Sequence, residues 1–178
     1  MRTPSRMMPA YEAPEMSLFW KLFTYLFVGW MFVMLLMQIW ETPMLAFFIL
    51  AVVLVSWIDD WLNEIEFHMS ALEREGEDIG TFARSFDYRK VDTWVIRAVY
   101  DALSRCFSYR GVVYPFRASD RLVEDLNIDS EELDDIVEEV IQRTKRVDKD
   151  WEKNPYYDKL ETVRDLVLFF DAQPRRIP

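Results

Sequence analysis

The sequence predicts an all-α protein in which a two-helix transmembrane hairpin precedes a four-helix bundle. Two long apolar runs lie close together near the N-terminus, at 18–40 and 44–58. Further along the chain, apolar residues recur at spacings of three and four, the period of a helix that is buried along one face. The 178 residues include only four glycines, so the composition also favours helices over a loop-rich fold.

The hairpin is predicted at residues 17–62. A helix of about 20 apolar residues crosses the hydrocarbon core of a bilayer, and the first run meets that length. The second run is shorter and would cross if its helix continued through Trp61 and Leu62. A cleaved signal peptide is excluded because the first run is too long and a second run follows at once. A buried hairpin in the core of a soluble protein is the remaining alternative.

The orientation of the hairpin follows from its basic residues. Arg2, Arg6 and Lys21 lie before or at the start of the first run, whereas the connection at 41–43 has no basic residue. The positive-inside rule therefore predicts a multi-pass protein of the inner (cytoplasmic) membrane with both termini in the cytoplasm. Neither run has an ionisable residue near its centre, so we expect an anchor or docking surface rather than a transport path.

The regions on either side of the hairpin are predicted to differ in order. Residues 1–16, which are rich in proline and methionine, are expected to form a disordered tail. Residues 63–90 are expected to form a juxtamembrane amphipathic helix and a linker, because apolar residues alternate at steps of four and three between 58 and 72. Within this region we interpret 81–90 as the linker, with two aromatic contacts.

The bundle is predicted at residues 91–173. Its first helix follows an apolar stripe over 91–106, which Asp92 is in position to cap. A long connection covers about 108–118, and the last helix is expected at about 162–171. The single cysteine lies on the apolar stripe, so we interpret it as a small buried residue rather than a nucleophile.

The negative charge is confined to the part of the chain that follows the apolar runs. The formal net charge is −10, and the first 58 residues balance three basic against three acidic side chains. An acidic domain excludes nucleic acid as a partner, because phosphates need a basic surface. It favours basic protein partners instead.

The most informative stretch is 125–130, with the sequence DLNIDS, which leads into an acidic helix. Asp129 and Glu132 are spaced as in a capping box, so the helix is expected to begin at Asp129 or Ser130. On this evidence alone, Ser130 is either an exposed functional hydroxyl or an ordinary first-turn residue.

Together with the flanking sequences ASDRLVEDL at 118–126 and KLETVRDLV at 159–167, this stretch resembles the acyl carrier protein family over roughly 91–172. In that family the serine carries a 4′-phosphopantetheine arm, whose thiol holds an acyl group as a thioester, and basic partner enzymes bind the acidic helix. The resemblance implies an acyl-carrier-like bundle in which a phosphopantetheinyl transferase modifies Ser130. It also implies that the acidic residues of the helix bind partners, namely Glu131, Glu132, Asp134, Asp135, Glu138 and Glu139.

Two positions depart from the family pattern. The family usually has glycine where this chain has Asn127, and asparagine tolerates a left-handed backbone. The family also places leucine or a similar apolar residue directly after the serine, where it helps the transferase to dock. This chain has Glu131 there, which is expected to weaken modification.

Together with the apolar runs, the resemblance implies a membrane-anchored carrier that presents an acyl or aminoacyl group to a membrane-associated acyl or group transferase and catalyses no reaction itself. The alternative, which Glu131 favours, is an unmodified carrier-fold scaffold or regulatory subunit of a membrane enzyme complex. With one histidine, no Ser-His-Asp set is expected, and no zinc spacing or Gly-rich phosphate loop occurs. A calcium loop starting at Asp125 fails, because Ser130 and Ile136 stand where glycine and glutamate are needed.

Overall fold

The computed structural model describes residues 5–111 and 113–176, with the side chains of 43, 109 and 110 left out. The chain divides into two compact units, Ala13–Met69 and a unit made from 5–12 together with 70–176. All regular structure in the described ranges is helical, and the only bridges between extended residues are two isolated ones. The predicted fold class, two long apolar helices followed by a helical bundle, is confirmed.

The two apolar helices are α1 (Leu18–Glu41) and α2 (Pro43–Glu73). Both are long and apolar enough to cross a membrane, and no residue of α1 is buried. Thr42 separates them: its backbone N–H and its hydroxyl both donate to the carbonyl of Gln38, at 3.0 and 2.8 Å. Proline then fits the first turn of α2, where no N–H is needed.

The second apolar run and the predicted juxtamembrane helix are one continuous helix, α2. The sequence predicts a boundary between them because the composition changes from apolar to acidic near residue 59. Neither glycine nor proline occurs between 44 and 75, so nothing in the local sequence ends the helix at that change.

The bundle contains α3 (Ile79–Arg84), α4 (Thr93–Cys106), α5 (Ser130–Thr144) and α6 (Val163–Ala172). Short 3₁₀ turns lie at Ser5–Met7, Phe107–Arg110, Trp151–Lys153 and Tyr157–Lys159. Helix α4 packs against α3, α5 and α6. The centre of the bundle is apolar and fully buried, and its members include Val95, Val99, Leu103, Ile136, Val140, Leu166, Val167 and Phe170.

The predicted linker at 81–90 differs from the structure, because α3 occupies its first half. Phe82 and Phe86 are both buried, and the Phe82 ring lies 5.2 Å from the rings of Phe86 and Tyr100. A helix of six residues is too short to show a hydrophobic period, so the sequence pattern gave no sign of it.

An ion-pair cluster joins the start of α4, the end of α5 and the chain after α6. Asp92 caps α4 by accepting a hydrogen bond from the Trp94 N–H at 3.1 Å, as predicted. The same carboxylate accepts from Arg146 at 3.0 Å and from Arg175. Arg146 also donates to the carbonyl of Asp171 at 3.0 Å. The cluster therefore holds the C-terminal residues against the bundle.

Replacing Asp92 by asparagine is expected to lower the stability of the bundle at neutral pH by about 1–3 kcal/mol. Burial alone would raise the pKa of Asp92, but hydrogen bonds from Arg175 and the Trp94 N–H, and the charges of Arg175 and Arg146, hold it below its ordinary value near 3.8. A lowered folded-state pKa gives stability that is complete above the ordinary value and is lost as the pH falls through the folded-state pKa.

The acid limb of the stability profile should therefore be shallower in Asp92→Asn than in the wild type. Urea unfolding between about pH 2 and pH 7 would measure both profiles. Two profiles of equal slope below the ordinary pKa would contradict the assignment.

Candidate functional site

The loop before Ser130 is fixed by two buried side chains. Leu126 and Ile128 are buried on either side of Asn127, which is itself exposed. Asn127 has a φ of +53°, in the left-handed region that glycine and asparagine adopt most readily. The expectation that asparagine accommodates this backbone conformation is confirmed.

Ser130 is the first residue of α5, and it is exposed. Asp129 accepts a hydrogen bond from the Glu132 N–H at 2.8 Å, and Glu132 accepts one from the Asp129 N–H at 3.3 Å. This is the predicted capping box, and it fixes the start of the helix directly before the serine. The hydroxyl therefore lies at a helix N-terminus, where the backbone amides and the helix dipole favour an anion.

Asp125 organises the turn that precedes the loop. Its carboxylate accepts hydrogen bonds from the Arg121 N–H at 2.9 Å and from the Arg121 guanidinium at 2.8 Å. These bonds hold the pKa of Asp125 below its ordinary value. The turn is also joined to the start of α6, because the Val163 N–H donates to the Asp120 carbonyl at 2.9 Å. This hydrogen bond thus connects the segment before the loop to the last helix of the bundle.

Five of the six predicted partner-binding residues lie on an accessible face of α5. Glu131, Asp134, Asp135 and Glu138 are exposed, and Glu132 is half-exposed and takes part in the capping box. We call these five residues the acidic face. The acidic face begins at the residue after Ser130, and it is accessible to a basic partner.

Glu139 is a correction, because it does not belong to the acidic face. Its exposed fraction is 3%, and its carboxylate accepts from Arg143 at 3.0 Å and lies 3.2 Å from Arg105. Burial raises the pKa of Glu139 above its ordinary value, although Arg105 and Arg143 oppose the shift. Successive residues of a helix point about 100° apart, so an unbroken acidic run includes members that face the bundle.

Arg143 is a site residue that the sequence reasoning missed. Its side chain is buried and joins the two central helices, because it donates both to Glu139 and to Asp101 of α4, the latter at 2.8 Å. The sequence contained an indication of the Glu139–Arg143 pair, because the two residues are four positions apart and therefore neighbours on a helix.

A cleft of about 1020 Å³ lies between α5, the two 3₁₀ turns at 151–153 and 157–159, and α6. Its apolar lining consists of Leu133, Val137, Ile141, Trp151, Leu160 and Phe169. Its acidic lining consists of Asp134, Glu138, Asp148, Asp150 and Glu152. Leu133 is three residues after Ser130 on the same helix, so the cleft begins about one helical turn from the serine. The segment 148–160 has no helical period, and the sequence did not reveal the cleft.

Comparisons of the chain with protein-family models, with curated proteins and with solved structures gave no match. The resemblance to acyl carrier proteins stays a prediction from the residues.

Proposed function

We propose that the protein is a membrane-anchored acyl carrier-like protein that bears a 4′-phosphopantetheine arm on Ser130. The observation that carries the proposal is the exposed serine at the capped start of α5, three residues after the left-handed Asn127. The alternative, an unmodified scaffold or regulatory subunit, makes no use of a hydroxyl in this position. The protein would hold its cargo without catalysing the transfer.

The residues around Ser130 fit such an arm. The hydroxyl is accessible, and the first turn of α5 favours the phosphodiester. Leu126 and Ile128 are buried, so the loop holds the hydroxyl in place. The cleft that begins near Leu133 has an apolar lining suited to the hydrocarbon part of a carried group. The arm itself would supply the thiol that binds an acyl or aminoacyl group.

The acidic face is proposed to bind two kinds of partner, a phosphopantetheinyl transferase and a membrane-associated acyl or group transferase. Its carboxylates are exposed on one helix beside Ser130. Such a surface steers basic partners and mostly raises association rates.

The location is proposed to be the inner membrane, with two crossings and both termini in the cytoplasm. Hydrogen bonds between residues 9–12 and α5 support the proposal, because two crossings would leave these residues and the bundle on the same side. Anchoring would raise the effective concentration of the carrier at a membrane-embedded partner.

Mass spectrometry of the intact protein tests the proposal. After expression beside broad-specificity phosphopantetheinyl transferases, the wild type should gain the mass of one arm and Ser130→Ala should gain none. Ser119→Ala is the matched control, since this serine is also exposed and precedes the loop, and it should be modified as the wild type is. A bare wild-type polypeptide beside each transferase would overturn the proposal.

The second candidate is an unmodified carrier-fold scaffold or regulatory subunit of a membrane enzyme complex. Glu131 favours it, because acyl carrier proteins have an apolar side chain directly after the serine, which helps the transferase to dock. This chain has an exposed carboxylate at that position. In this case the wild type would stay unmodified, while a membrane partner would still be retained through the acidic face.

A further inference from the structure

The N-terminal residues 8–12, which we call the strap, are bound to the bundle, although we expected a disordered tail there. The side-chain amide of Gln142 pairs with the backbone of Glu12 in both directions. It accepts from the Glu12 N–H at 3.0 Å and donates to the Glu12 carbonyl at 3.0 Å. This pairing resembles the way in which a neighbouring strand binds an extended peptide.

Two further contacts hold the strap, and both come from arginines of the central helices. The Arg143 side chain donates to the Pro9 carbonyl at 3.3 Å. The Arg105 guanidinium lies over the Tyr11 ring, 5.2 Å from its centre. Arg105 of α4 with Gln142 and Arg143 of α5 therefore form the binding surface of the strap, which we call the α4–α5 groove. They bind the strap through the backbone at two residues and through one aromatic side chain.

The strap lies beside the acidic face. The Arg105 guanidinium that lies over the Tyr11 ring is also 3.2 Å from Glu139, the residue after Glu138, so the ring is close to that face. Burial and the carboxylates of Glu138, Glu139 and Asp135 accordingly raise the pKa of Tyr11. Gln142, which binds the strap, also lines the cleft together with Glu138. A molecule that docks along the far end of the acidic face would meet the strap.

We propose that the α4–α5 groove is a binding site for an extended peptide with an aromatic side chain, and that the strap is its displaceable occupant in cis. While the strap is bound, it restricts access to the Glu138 end of α5. The peptide-binding part stands on the contacts above, and the regulatory part rests on the proposed carrier function.

The strap is suited to displacement because its hold on the bundle is light. Residues 5–12 include no buried residue, so the strap adds little to the core. Its hydrogen bonds to Gln142 join neutral groups, which contribute modestly when exposed to water. Tethering compensates, because a linked segment has an effective concentration in the millimolar range.

Binding of a labelled, end-capped peptide of residues 5–14 to the full chain in detergent micelles tests the first part. Tyr11→Ala weakens the strap and leaves the groove intact, so this variant should bind the peptide about fivefold more tightly than the wild type. Deletion of residues 5–12 should increase the affinity for the peptide further. Gln142→Ala in the Tyr11→Ala chain should weaken binding again, and a peptide with alanine for its tyrosine is the matched control.

Equal peptide affinity for the wild type and Tyr11→Ala would overturn the groove assignment, as would binding that is insensitive to Gln142→Ala. Hydrogen exchange at α4 and α5 would verify that each variant is folded. The groove assignment would also be overturned if a folded Tyr11→Ala chain did not bind the peptide at millimolar concentration.

The rate of Ser130 modification tests the regulatory part. Tyr11→Ala should be modified faster than the wild type, and equal rates would remove the regulatory role. If Ser130 is not modified in either chain, the carrier proposal and the regulatory role that rests on it both fail. The peptide affinities would still decide whether the groove binds the strap.

Discussion

Replacing Arg74 by alanine is expected to lower the free energy of unfolding of the bundle by about 3 kcal/mol. The Arg74 guanidinium donates to the Asp120 carboxylate at 2.7 Å and to the Pro115 carbonyl at 3.2 Å, and it lies over the Tyr114 ring. The Arg74 and Asp120 side chains are 14% and 4% exposed. Without Arg74, the buried Asp120 carboxylate would keep the Arg117 backbone N–H, at 2.8 Å, but lose its ion-pair partner.

Hydrogen exchange of the amides in α4, α5 and α6 would measure this loss in the full chain. Arg117→Ala is the matched control, because it removes an arginine from a more exposed pair with Glu77 and should change exchange little. Adding Asp120→Asn to Arg74→Ala should recover part of the stability, since a neutral amide is easier to bury than a charge. Equal losses in Arg74→Ala and Arg117→Ala would show that burial of the pair does not matter.

Reversing three charges of the acidic face is expected to slow modification of Ser130 at least about tenfold at low salt. The variant carries Asp134→Lys, Asp135→Lys and Glu138→Lys, which all lie on the exposed side of α5. Exposed charges act at long range in dilute salt, so the difference from the wild type should shrink as ionic strength rises. The measurement is the rate of mass gain with one purified transferase.

The matched control reverses three exposed acidic residues elsewhere in the same unit, namely Glu75, Asp158 and Glu161. Both variants have the same net charge, so a difference between them reports on position rather than on total charge. Similar slowing in both would assign the effect to the overall field of the protein and remove the acidic face as a specific partner surface.

Features that depend on neighbouring residues could be predicted from the sequence. The apolar runs predicted α1 and the first part of α2, and the spacing of Asp129 and Glu132 predicted the capping box. The conformation of Asn127 followed from a preference of that residue type. Each of these patterns is local in the sequence, and local backbone geometry determines which neighbouring residues come into contact.

Features that depend on distant partners could not be predicted. Arg74 and Asp120 are 46 residues apart, and Arg146 and Asp92 are 54 residues apart. The chain has 21 basic and 31 acidic side chains, so composition does not select these pairs. The burial of Glu139 has the same origin, because it depends on Arg105 of another helix. Pairing of this kind follows from the packed fold.

The contact between Glu12 and Gln142 also has a consequence for biogenesis. These residues are 130 positions apart, so the ribosome makes the strap long before its groove exists. Joining the two ends of so long a flexible chain costs about 4 kcal/mol of entropy, but α1, α2 and the folded bundle remove most of that freedom beforehand. The strap is therefore synthesised before its binding residues and binds after they have folded, and until then it is open to proteases and to other chains.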